Sequence, residues 1–299
     1  MLEPLVIIHL LLVMTQLLLG VFVNGVIVVG TGLHLTQSRK TMPLQLLVCC
    51  LAVSRICLQV LLFYLNLVIL PLFEFSSPAA TFTAFTYFNE LTLWLATWLS
   101  VFYCAKIATF AHPLFSWLKL RISRLVPQLI VGSLLYTSLT SVFHRKYSWI
   151  LSQKFWLSLF SQNATTQSDE VSTFHFTIMV VEFLLPLFIF LISALLLIFS
   201  LGRHTQQMMS MAAGGRLAGT RVHFGTLLYI LSFLVLYLSQ YVMGALIFSQ
   251  IFKIRSFLFL FCTWVLGSYT YGHSIVLIFA SPKLKQNAKK LFFHSKCCQ

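Results

Sequence analysis

Residues 5–31 of this chain contain no lysine, arginine, aspartate or glutamate, and six further runs, at about 44–72, 80–110, 124–143, 174–202, 223–249 and 256–280, are nearly as free of charge. At about 1.5 Å of rise per residue, a helix of ~20 residues crosses a ~30 Å hydrocarbon core, and each run is long enough to do so. The expected fold is therefore an all-α membrane protein, a bundle of seven transmembrane helices. A soluble domain would carry about a quarter charged residues, whereas this chain has 9%. No repeat, linker or composition shift divides it, so one domain is expected over 1–299, with a tail at 281–299. The first run is too long for the core of a cleavable signal, and Glu3 rather than a cation precedes it.

The cations set an orientation. With the N-terminus outside, the inner segments hold Arg39 and Lys40; Lys119, Arg121 and Arg124; Arg203, Arg216 and Arg221; and Lys283, Lys285, Lys289, Lys290 and Lys296. The outer segments hold fewer: Arg145, Lys146, Lys154, Lys253 and Arg255. Inner loops of membrane proteins carry such an excess, so an extracellular N-terminus and a cytoplasmic C-terminus are expected. The sequon at Asn163 falls in the long outer loop, where N-glycosylation would be available. The net charge of +14 is thus an inner-face property suited to anionic lipid, and a nucleic-acid partner is not expected.

Seven spans with an outer N-terminus are the plan of G-protein-coupled receptors. Several common markers of the rhodopsin-like group are missing. The third run ends in Tyr103-Cys104-Ala105-Lys106 rather than acid-Arg-aromatic, the sixth lacks a proline, and the seventh has His273-Ser274 where many receptors carry Asn-Pro. Another set of residues is present in order: Asn24-Gly25; Leu51 through Arg55; Trp94 through Thr97; Phe102-Tyr103; Lys106 through Ala108; His112-Pro113; Pro186; Leu196 through Ile198; Ser200-Leu201; His204-Thr205; Leu236-Tyr237; His273-Ser274; and Pro282 through Lys285. On these the chain resembles the bitter taste receptors, the type 2 taste receptor family, along essentially its whole length. It departs from the pattern at Phe85, where many relatives carry tryptophan, and at Leu227-Leu228, where relatives often have Leu-Lys.

The polar residues inside the spans are the candidate functional residues, because lipid makes them expensive unless they face the bundle and find partners. Arg55 is expected to join a structural or switching network, with Asn24 and Ser274 or a carbonyl of the seventh helix as acceptors. Lys106 has two readings. It can snorkel to headgroups from the inner end of its helix, or, as the resemblance implies, form an inner lock with Tyr103 and His204. His273 belongs to the same group of activation and coupling residues by resemblance. Asn89 matches the family's pocket position, one turn after Phe85. Glu90 is adjacent, but neighbours on a helix point about 100° apart, so the two need not face one space. Asn66 and Glu182 lie at comparable outer depths, and Gln240, Tyr241 and Thr263 complete the candidate ligand-binding set with Phe85. A kink is expected at Pro186. The tail after Pro282 reads as a short interfacial helix beside Cys297 and Cys298, which are candidates for palmitoylation.

The alternatives are a multi-span transporter, a membrane hydrolase or a non-taste seven-helix receptor. No internal repeat supports a transporter, and no histidine pair at helical spacing or nucleophile-base set supports an enzyme, so no catalytic residue, cofactor or metal is expected. The resemblance implies bitter small molecules as ligands, a gustducin-like heterotrimeric G protein of the inhibitory class as partner, and the plasma membrane as location. Homo- or hetero-oligomers are left open.

Overall fold

The computed structural model describes residues 4–37, 42–69, 78–108, 113–143, 173–211, 217–248, 252, 256–280 and 284–286. Among them run seven long α-helices: α1 Pro4–Gln37, α2 Pro43–Ile69, α3 Pro78–Ile107, α4 Pro113–Phe143, α5 Thr173–Met211, α6 Leu217–Phe248 and α7 Phe257–Ala280. The first four all open on proline. Its fixed φ suits the first helical position, and the N–H it lacks would have had no intrahelical partner there. Asn163, Cys297 and Cys298 lie outside the described residues, as does the end of the basic tail.

Three helices outrun their apolar stretches. α4 begins at Pro113, so Lys119, Arg121 and Arg124 sit on the helix itself rather than in a loop before it. α5 continues to Met211, and α6 already starts at Leu217. Hydropathy marks the depth of the lipid core, whereas intrahelical hydrogen bonding carries a helix on into the headgroup region. Conversely, α1, α2, α4, α5 and α6 are long and apolar enough to cross a membrane by composition, while α3 and α7 fall short of that mark. The reason is visible in their sequences. Asn89 and Glu90 in α3, and the Ser268–Ser274 stretch in α7, dilute the apolar residues with groups that face protein instead of lipid.

Side-chain bonds fix the alternation of direction. His9 near the start of α1 meets Asn66 near the end of α2, and Asn89 in the first half of α3 meets Gln240 late in α6. Gln16 and Trp264, both early in their helices, show that α1 and α7 run the same way. The first face of the bundle is therefore the one at which α1, α3, α5 and α7 begin.

α3 is the axis of the packing. Every residue from Leu91 to Thr97 is buried, and the helix touches α2, α4 and α5. One contiguous core joins all seven helices through, for example, Ile27, Leu51, Leu95, Leu99, Ile130, Phe190, Tyr237 and Tyr269. The opposite sides of α1, α4 and α5 stay apolar and open: Leu18 is 63% exposed, Leu139 71% and Phe199 63%. In water such a surface would drive association; in a bilayer it is solvated by acyl chains.

Candidate functional site

Two polar regions run through this apolar bundle. The one nearer the first face brings α3, α4, α5 and α6 together. Gln240 donates from Nε2 to Asn89 Oδ1 at 2.8 Å, while its own Oε1 is buried without a partner. Tyr241, the next residue on α6, donates to the Phe183 carbonyl of α5 at 2.6 Å. Glu90 turns away from Asn89, toward α4: Thr140 donates to its Oε2 at 2.9 Å. Its other oxygen and the Trp94 indole N–H, one turn further along α3, are both buried and interact with each other in a looser contact. Trp94 stacks on Trp98 (5.4 Å between ring centres) and meets Tyr136 edge-on at 5.7 Å. The 100° step between neighbours thus sends Asn89 and Glu90 to different helices.

Below them, Thr97 is a junction. Its hydroxyl lies 2.8 Å from the Leu93 carbonyl of its own helix, 3.1 Å from the Pro186 carbonyl of α5 and 3.1 Å from the Tyr237 hydroxyl of α6. Tyr237 is fully buried and stacked on Phe190 at 4.0 Å. Pro186, inside a continuous α5, cannot donate to the carbonyl four residues back. Neither Thr97 nor Tyr237 stands out as a functional residue in the sequence. Their only signal there is membership of the Trp94–Thr97 and Leu236-Tyr237 motifs.

The remaining ligand candidates are dispersed. Asn66 is engaged in structure, bonded among the described residues to His9 (2.9 Å) and to the Leu62 carbonyl (2.8 Å). Phe85 is buried and packs near Phe82. Thr263 is half-buried and bonded to the Leu260 carbonyl of its own helix at 2.8 Å. Glu182 is half-buried on α5.

The second region is a seam between α1, α2 and α7. Gln16 donates to the Trp264 carbonyl at 2.7 Å, and Thr270 donates to Gln59. Further down, Arg55 is fully buried; its Nη1 donates to Ser274 Oγ at 3.0 Å, and Ser274 in turn donates to Asn24 Oδ1 at 2.7 Å. Asn24 is anchored by its amide to the Gly20 carbonyl at 2.8 Å. Arg55 also lies over the Tyr269 ring, 5.4 Å from its centre. The structure therefore joins Asn24, Arg55 and Ser274 directly, and it sets His273, also fully buried, in a stack on Tyr269. At the opposite face, Tyr103 is half-buried against Leu197 and Leu201 of α5, and Lys106 is exposed. The side chain of His204 lies outside the described ones. Among the described residues no group of histidine, cysteine and acid is arranged to hold a metal.

This fold is shared with a solved receptor: squid rhodopsin superposes with a TM-score of 0.63, over 100% of this chain and 92% of that one, at 13% identity. A bundle of this kind, crossed by buried polar seams and apolar outside, has the seven-helix fold of the G-protein-coupled class, and five of its described helices are long and apolar enough to cross a membrane. The profile of the Taste receptor protein (TAS2R) family matches residues 1–296. Taste receptor type 2 member 1 of Chlorocebus aethiops is 52% identical over the full length of both chains. Taste receptor type 2 member 119 of Rattus norvegicus is 45% identical, covering all of this chain and 88% of that one. The chain belongs to the taste receptor type 2 family, a family of receptors and not of enzymes.

Proposed function

We propose that the protein is a plasma-membrane bitter taste receptor, oriented with its N-terminus outside, that binds bitter small molecules at the first face and activates a gustducin-like G protein of the inhibitory class. Family membership supports the receptor and ligand class. The excess of lysine and arginine in alternate links supports the orientation. The observation that carries the binding site is the Asn89–Gln240 pair, a polar contact between α3 and α6 that leaves the Gln240 carbonyl oxygen buried and unsatisfied. A ligand donor reaching that oxygen would satisfy it, and a ligand held there would act on two helices at once. Tyr241, next to Gln240 on α6, bonds the Phe183 carbonyl beside it, and Phe85, Glu90 and Glu182 enter the proposal as further contacts from their sequence positions alone. Few polar groups among many apolar ones suit a broadly tuned pocket.

An agonist that binds one arrangement of α3 and α6 more tightly shifts the population toward it. The G protein would be received at the opposite face, near Tyr103, Lys106 and the basic start of α4. The test is G-protein activation in cells with a panel of bitter compounds, comparing wild type with Asn89→Ala at matched surface level. Loss of response in the variant supports receptor and site together; retention across every agonist removes Asn89 as the anchor. Nucleotide exchange on purified inhibitory-class and stimulatory-class heterotrimers separates the coupling partners, and an exclusive response of the stimulatory class overturns the coupling assignment.

A further inference from the structure

The basic start of α4 has two sides. Residues three, four and seven apart share one face of a helix. Ile122, Val126, Ile130, Ser133 and Thr137 are buried and mark the side of α4 that packs on the bundle. On the opposite side Val131, Leu135, Leu139 and Val142 are each more than half exposed and face acyl chains. Followed back toward the start of α4, that same stripe meets Arg124, Arg121 and Trp117, all exposed. Leu120 beside them is 81% exposed. Both guanidiniums thus stand on the lipid side. Lys119, two residues from Trp117, is turned about 160° away from it around the helix.

The arginines lack an acidic partner. Among the described residues the acids are Glu90 and Glu182, and both lie toward the first face: Glu90 bonds Thr140, near the other end of α4, and Glu182 is close enough to interact with Glu90. Arg121 lies over the Trp117 ring, 5.2 Å from its centre. A guanidinium stacked in this way keeps its N–H groups, which lie in its own plane, directed outward. Depth agrees with this arrangement. From Phe143 back to Arg124 is about 29 Å of helix, close to the ~30 Å of a hydrocarbon core. Arg124 therefore reaches the phosphates, and Arg121 and Trp117 lie among the headgroups, the level at which tryptophan concentrates.

We propose that Trp117, Arg121 and Arg124 bind the headgroup of an anionic phospholipid, whose acyl chains lie along Val131 and Leu135. Each arginine offers a fork of donors to phosphate oxygens. Two cations without a carboxylate favour a headgroup of net negative charge, because a zwitterionic one brings an ammonium with nothing to receive it. The inference rests on the orientation proposed above, which puts this end of α4 in the cytoplasmic leaflet, where anionic lipid is found.

The test is native mass spectrometry of the purified receptor in detergent, titrated with dioleoylphosphatidylserine and dioleoylphosphatidylcholine in competition. Preferential uptake of phosphatidylserine by the wild type is expected. Arg121→Gln and Arg124→Gln should each weaken it about fivefold, and Lys119→Gln, the same loss of charge on the other side of the same helix, should leave it unchanged. Equal uptake of the two lipids by the wild type overturns the proposal. An equal fall in all three variants also overturns it, since diffuse charge would then be the cause. Should the variants not fold, wild-type receptor is labelled with phosphatidylserine carrying a photoreactive headgroup: an adduct within residues 117–124 sustains the site, and adducts confined to other segments abolish it. Antibody access to an N-terminal tag on intact cells checks the orientation separately. Binding only after permeabilisation overturns the orientation and the leaflet, while the lipid titration still decides the site.

Discussion

The Gln240 amide donates to Asn89 Oδ1 across 2.8 Å, and this bond is the polar link between α6 and α3 nearest the first face. Replacing either residue by alanine removes the link and leaves its partner short of a bond. The two single variants are expected to lose agonist potency by similar factors. The double variant should lose less than the product of the two, as groups in direct contact couple. Dose–response curves at matched surface expression check this; strictly multiplicative losses would mean that the two residues act independently.

Thr97 and Tyr237 offer a sharper comparison. Thr97→Val keeps the shape but takes from the buried Tyr237 hydroxyl its partner at 3.1 Å, leaving it a longer 3.4 Å approach to the Leu93 carbonyl, and removes the second partner of the helix-bonded Pro186 carbonyl. A loss of about 0.5–1.5 kcal/mol is expected, the net worth of a hydrogen bond. Adding Tyr237→Phe removes the poorly partnered hydroxyl, so the double variant should recover part of that loss. Thermal unfolding in nanodiscs reads the difference, and further destabilisation by the second change would contradict the pairing.

Ser274 connects Arg55 to Asn24 in a buried relay. Ser274→Ala should lower stability by about 1–3 kcal/mol, since it leaves a charged donor with one partner fewer. Reduced surface expression at unchanged transcript level would be its cellular signature. Wild-type stability in Ser274→Ala would show that the hydroxyl is dispensable to Arg55.

Gly267 stands where α7 passes Gln16 of α1, and a methyl group there would lie 2.6 Å from Gln16 Oε1. Gly267→Ala must therefore displace the Gln16 side chain from its bond to the Trp264 carbonyl. A cost of about 0.5–1.5 kcal/mol is expected from that bond. In a Gln16→Ala background the obstruction is gone, and the same substitution should become neutral or mildly stabilising through its higher helix propensity. Equal costs in both backgrounds would refute the steric account.

Several of these relationships are legible in the amino-acid sequence alone. The helices are, because a bilayer imposes a minimum apolar length on each span. The Ser274 partner of Arg55, with Asn24 joined to it through Ser274, is legible as well, because a guanidinium in lipid needs acceptors and both are polar groups in neighbouring spans. The divergence of Asn89 and Glu90 follows from the helical step. The Thr97 junction is not legible, since a threonine in a spanning helix can always satisfy itself on the carbonyl four residues back, as Thr97 does with Leu93. Nor is the engagement of Asn66 by His9, which depends on the register of α1 against α2. The early start of α4 escapes notice because cations interrupt apolarity without interrupting a helix.

Tyr237, Gln240 and Tyr241 grip α6 within a little over one turn, each bonded to a different group on α3 or α5. From Tyr241 back to Leu217 the helix runs 24 residues, or about 36 Å. A stiff rod whose described cross-helix hydrogen bonds form a short collar near one end would work as a lever. Sub-ångström adjustments inside the collar would be magnified along its long arm, so no large motion would be needed where a small molecule would sit to produce a large one where a partner protein would dock.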